Sequence, residues 1–127
     1  MNTYEAMFLL DAALASNWEA AEGEVRRLLD RASAKVLGLR RWDERRLAFE
    51  IKRRKRGIYA LAFFEAPGEK INDLERDARL SEMILRLLVL RREGWSAEQI
   101  EKALHSTPTE RAYDGPREGF GRPSSPR

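Results

Sequence analysis

Five cations stand side by side at Lys52, Arg53, Arg54, Lys55 and Arg56, and an arginine pair, Arg45 and Arg46, precedes them. A guanidinium offers a planar fork of donors that matches a phosphate, and an ammonium offers a compact point charge. Adjacent like charges repel, and phosphates that neutralise them relieve that repulsion. Turn geometry asks for Gly, Asn, Asp or Pro and does not require a cationic run. The chemistry legible here is therefore contact with a polyanion. The overall charge balance says less than its distribution: the whole chain is +3, whereas residues 40–56 alone carry nine basic and three acidic side chains. Such clustering is the electrostatic footprint of a nucleic-acid partner. Arg86 lies on a later apolar segment, with Arg91 and Arg92 at its end, and adds a second, weaker group of cations.

Little else could do chemistry, and no catalytic residue is assigned. His105 is the single histidine and falls near the end of a short helical stretch, the usual place for a C-terminal helix residue. There is no cysteine, which excludes a disulfide framework, a thiolate metal site and a cysteine nucleophile. No Gly-rich phosphate loop and no HExxH helix occurs, so neither a cofactor nor a metal is expected. The carboxylates sit beside basic residues at helical spacings, as on solvated faces. The start, MNTYEAMFLLDAAL, lacks a basic leader region, and its apolar run is broken by Asp11. No apolar stretch reaches the roughly 18 residues of a membrane helix. A cytoplasmic, soluble protein is expected.

The elements that must position these cations follow from periodicity. Residues 3–11 alternate as a strand, with Ala6, Phe8 and Leu10 on one face and Glu5, Met7 and Leu9 on the other. Ser16 and Glu19 have the spacing of a capping box, and Trp18, Ala21, Val25, Leu28 and Ala32 make a helical stripe ending near Ser33. Residues 35–51 read as a long strand, bulged at the charged WDERR piece. Residues 52–57 read as an exposed turn and 58–66 as the third strand, completing a hairpin. After Pro67 and Gly68, a second helix to about Arg79 carries Ile71, Leu74 and Ala78, and 83–91 is the fourth strand.

That order, β-α-β-β-α-β, is the ferredoxin-like arrangement of the α+β class, a four-stranded antiparallel sheet with two helices on one face. The other face is left for solvent or a partner. Leu87 and Val89 are assigned to the core. Arg86 then falls on the open face, where Met7, Leu9, Leu88 and Leu90 would form an exposed apolar patch suited to a protein interface. Residues 1–94 are read as the domain. Residues 95–127 are an extension with a short helix over 96–105, capped by Ser96 and Gln99, and a flexible tail over 106–127 that holds four of the five prolines.

An RNA-recognition motif shares this order of elements, and the third strand does carry Tyr59, Phe63 and Phe64. The basic-Gly-aromatic run that stacks bases is absent, so phosphate and shape contacts to folded RNA fit better than stacking on single strands.

Tyr4-Glu5 on the first strand, the run Arg45-Arg46-Leu47-Ala48-Phe49, Gly57 opening the third strand, and Ile71-Asn72-Asp73-Leu74 with Arg79 and Arg86 resemble the bacterial small-subunit ribosomal protein S6 family over about residues 3–92. The resemblance implies a ferredoxin-like fold without enzymatic activity. It implies binding to 16S ribosomal RNA together with ribosomal protein S18, and a structural role in the platform of the small subunit. Outside the ribosome a monomer is expected. By matching position, Arg45, Arg46, Arg79 and Arg86 fall where the family has basic residues. The Lys52–Arg56 run lies in the family's variable loop, so its RNA role rests on charge; Arg91 and Arg92 are counted with it. Two departures stand out: Glu50 replaces the family's usual proline, and residues 95–127 exceed the common core. The alternative reading is a ferredoxin-like regulatory module that binds a small metabolite as a homodimer, since fold order alone does not decide function.

Overall fold

A computed structural model describes residues 1–105, with side chains except those at 15, 43, 45, 46, 48 and 49. The elements run β1 (Asn2–Asp11), α1 (Trp18–Arg31), β2 (Lys35–Ile51), β3 (Arg54–Ala66), α2 (Ile71–Leu80), β4 (Ile84–Arg91) and α3 (Ala97–Leu104). The strands form one antiparallel sheet in the order β2-β3-β1-β4. This is the ferredoxin-like fold the periodicity predicts, with the short C-terminal helix expected over 96–105 found as α3. The expected tail over 106–127 lies outside the described residues.

β1 is central, and every residue from Tyr4 to Leu10 is buried. Its alternation works as expected. Tyr4, Ala6, Phe8 and Leu10 meet Ala21, Val25, Leu28 and Leu29 of α1 and Leu74 and Ala78 of α2 in one core. Leu87 and Val89 pack against that core, as their position on the fourth strand predicts.

The start of α1 departs from the expected capping box. Asp11 accepts a hydrogen bond from the Ala13 N–H at 3.0 Å and opens a 3-10 turn over Ala12–Ser16. That turn consumes Ser16, and Asn17, an equally good capping residue, accepts from the Ala20 N–H at 3.3 Å instead.

The long β2 carries three irregularities against β3, between Val36 and Gly38, Arg41 and Asp43, and Arg46 and Ile51. The middle one falls in the charged stretch expected to bulge. The turn between β2 and β3 is much tighter than a six-residue loop. Only Lys52 and Arg53 lie outside the strands, both with positive φ, at 51° and 68°. This is the twist-matched two-residue hairpin turn, built here without the usual Asn-Gly. Arg54, Lys55 and Arg56 already belong to β3. The run looked like a loop because its charge masks the extended pattern of a solvated strand arm.

The largest departure concerns the second sheet face, which is not open. α3 lies on it: Ile100, Ala103 and Leu104 pack with Met7, Trp42, Leu61 and Phe63 in a second core, flanked by Tyr59, Leu88 and Trp95. Ser96 and Gln99 cap the helix reciprocally, at 3.1 and 2.8 Å. Arg40 donates its Nη1 to the Leu104 carbonyl and so satisfies the far end. Met7 and Leu9 are fully buried, not an exposed patch, while Leu88 and Leu90 are half-buried. The patch was assigned on the assumption that two helices exhaust the apolar partners; the third packs with Met7 and Leu88 of that patch.

Gly38 is the seat of this helix. A Cβ there would collide with Leu104 Cδ1. Gly38→Val is therefore expected to push Leu104 off the sheet and to cost about 1–3 kcal/mol, as overpacking does. Urea unfolding measures the cost, and faster amide exchange confined to Ile100–Leu104 would locate it.

Candidate nucleic-acid interface

The strand order brings four chain segments to one end of the sheet: the end of β1, the β2–β3 turn, the start of β4 and the end of α2. Arg54 at the start of β3 and Gly57 beside Asp11 set the register there. Gly57 permits a close approach, because a Cβ would meet Leu9 Cδ1 and would lie 3.2 Å from the Leu10 carbonyl oxygen. On β2, residues 47–50 face the single Lys55, so the arm is wide and irregular just before its tip.

The arm is tethered across this end. Arg54 Nε contacts Asp11 Oδ2 at 2.6 Å. Lys52 Nζ donates to the Ile84 carbonyl at 3.0 Å. The Arg54 hydrogen bond holds the Asp11 carboxyl below its usual range, against the opposing effect of burial and with help from the Ala13 N–H. Asp11 is thus ionised at neutral pH and keeps the arm folded over β1. Arg56 and Arg41 share Glu44 at 3.7 and 3.6 Å. Arg53 and Lys55 are exposed and have no carboxylate partner among the described residues. Pairs at this exposure contribute about 0–1 kcal/mol each. A phosphate can therefore take over Arg54 or Arg56 at small cost.

Arg45 and Arg46 sit opposite Gly57 and Arg56 on the same arm, which places their backbone beside the cationic run. Their side chains lie outside those described. Arg79 at the end of α2 and Arg86 near the start of β4 are exposed at this end too. With Lys52 they line a groove of about 600 Å³ whose other walls are Glu75, Ala78, Ile84, Leu85, Leu87 and Leu88. One end of the sheet thus gathers Lys52–Arg56, Arg79 and Arg86.

Arg91 and Arg92 are not part of that cluster. Arg91 pairs with Tyr4 at the opposite end of the sheet, donating to Asn2 Oδ1 at 3.1 Å. Arg92 turns inward: its Nε lies 2.7 Å from Glu5 Oε1, a carboxylate with no exposure, and its guanidinium stands 4.8 Å over the Trp95 ring. Arg92 was expected among the phosphate-facing cations; within this fold its guanidinium is engaged by Glu5 and Trp95. Glu5 and Trp95 were not singled out as its partners, because the three come together only when the segment after β4 folds back. Sequence reasoning also passed over Arg40 and Arg41, although both belong to the basic 40–56 segment that the charge count marks.

Among the described residues no group of three or more His, Cys, Asp or Glu could hold a metal ion, and no helix is long and apolar enough to cross a membrane. His105 caps the end of α3 and contacts Glu101 at 2.8 Å.

A family model described as ribosomal protein S6 matches residues 3–91. Among curated proteins, the small ribosomal subunit protein bS6 of a Synechocystis species is 34% identical over 106 residues, covering 81% of this chain and 92% of its own length. The bS6 of Synechococcus elongatus is 37% identical over 91 residues, covering 71% and 85% respectively. Among solved structures, the 30S ribosomal protein S6 of Thermotoga maritima superposes with a TM-score of 0.63 at 26% identity, over 80% of this chain and 92% of that one. The family model spans the sheet and its two inner helices, the elements that position the cationic end.

Proposed function

The chain belongs to the ribosomal protein S6 family, and from that premise we propose that it binds 16S ribosomal RNA together with ribosomal protein S18 in the platform of the small subunit. Proteins of this family are structural constituents of the small ribosomal subunit, act in the cytoplasm on the ribosome and carry out no catalysis. Membership displaces the metabolite-module alternative. The observation that supports the finer reading is the tethered β2–β3 arm, where Arg53 in the turn and Lys55 and Arg56 on β3 are exposed beside the tethers made by Lys52 and Arg54. Arg45 and Arg46 stand on the same arm. A preorganised row of cations loses little conformational freedom on meeting a phosphate backbone, and it reads position more than base identity.

Salt dependence tests this. Each phosphate neutralised contributes about 0.7–0.9 to the slope of log K against log salt. Replacing Lys52 through Arg56 with serine is expected to weaken binding of a central-domain 16S fragment in the presence of S18, and to flatten that slope by about 2–4, for roughly three to five lost contacts. Filter binding between 50 and 200 mM salt measures it, with circular dichroism to verify the fold. An unchanged slope would remove the arm from the RNA interface, and equal binding with S18 left out would remove the partner.

A further inference from the structure

We propose that the groove between α2 and β4 is a docking site for an extended, acidic segment of a partner protein, which adds as a fifth strand to the β4 edge. This goes beyond RNA binding: it shares Lys52, Arg79 and Arg86 with the cationic end of the sheet and does not use Arg53, Lys55 or Arg56.

The two edges of the sheet are unlike each other. β2 is blunted by three irregularities and by its charged stretch, devices that discourage further pairing. β4 pairs with β1 alone among the described residues, and its register runs evenly from Arg86 to Arg91. Its middle, Leu87-Leu88-Val89-Leu90, holds no charge and no proline. The Arg92 N–H donates to the Thr3 carbonyl at 2.8 Å, continuing the ladder beyond Tyr4 and Arg91. Alternation then directs Leu90, Leu88 and Arg86 toward β1, and the backbone groups of Arg91, Val89 and Leu87 outward. That row offers N–H and C=O groups in turn.

The chemistry of the groove selects the occupant. Its floor is apolar, made by Ala78, Ile84, Leu85, Leu87 and Leu88, and its rim carries Lys52, Arg79 and Arg86 against the single carboxylate of Glu75. Phosphates only accept hydrogen bonds, and the donors RNA does carry, 2′-hydroxyls and base edges, do not repeat at the spacing of the outward carbonyls of β4. Another polypeptide in extended form satisfies both sets, and its alternate side chains reach the groove. Carboxylates on that segment meet the three cations. A second copy of β4 in antiparallel pairing would bring Arg86 toward the Arg91–Arg92 end of its partner, cation against cation. The chain's own residues 106–127 carry four arginines against three carboxylates and include four prolines, the wrong charge and too few donors.

The test uses the full chain and a capped octapeptide alternating Glu and Val. The expected result is slowed hydrogen exchange at the amides of Leu87, Val89 and Arg91 on adding the peptide, with binding about tenfold weaker when Lys replaces every Glu. Arg79→Glu with Arg86→Glu is expected to abolish the protection. Arg53, Lys55 and Arg56 changed to serine should leave it intact, which separates this site from the RNA arm. A peptide with a central proline should fail on unaltered protein, so the outcome does not hang on a variant's folding. Absence of protection would overturn the proposal. Protection by octauridylate instead would replace it with an RNA site, and protection that grows with protein concentration alone would replace it with self-association.

Discussion

Arg92→Ala is expected to lower the stability of the folded chain by about 3–5 kcal/mol, the cost of taking the cation of a close ion pair away from a buried carboxylate. Glu5 lies in the middle of the sheet with no exposure, and Arg92 reaches it at 2.7 Å from just beyond β4. The same guanidinium lies over Trp95, so truncation also removes packing from the segment that leads into α3. With a urea dependence of about 2 kcal/mol per molar for a domain of this size, the unfolding midpoint should fall by about 2 M. Glu5→Gln combined with Arg92→Met should cost much less than Arg92→Ala alone, because the buried negative charge is removed along with the cation. A loss under about 1 kcal/mol for Arg92→Ala would show that the pair is not what seats this segment.

Phe63→Ala should cost a similar amount, about 3–5 kcal/mol, for a different reason. Phe63 has no exposure, and its ring centroid stands 5.7 Å from that of Trp95 in the core beneath α3. Phe64, its neighbour on β3, faces the opposite core and stacks on Tyr4 at 5.6 Å. Both truncations should therefore destabilise the protein, but only Phe63→Ala should accelerate amide exchange in α3 before global unfolding. Equal exchange in the two variants would mean that α3 shares the sheet's fate and does not depend on the face it covers.

These two results probe the part of the molecule that local patterns left hidden. The alternation of Ala6, Phe8 and Leu10 against Met7 and Leu9, and the stripe Ala21-Val25-Leu28, are local periods, so they were readable directly. The hairpin was readable as well, but its turn was drawn too long because charge hid the extended arm of Arg54–Arg56. The cationic cluster showed in the charge count; that Arg79 and Arg86 join it, while Arg91 and Arg92 do not, depends on which strand ends meet.

By itself, the order of residues determined the element sequence, the inner core and the concentration of positive charge in the segment that forms the arm, since each is encoded over a few neighbouring positions. Tertiary structure alone decided that Gly38 and Leu104, 66 positions apart, would touch, that Arg92 would neutralise Glu5, and that Met7 and Leu9 would be covered. Those outcomes turn on which surfaces compete for one apolar sheet face. That competition is settled by shape and desolvation across the whole fold, and no local spacing records it.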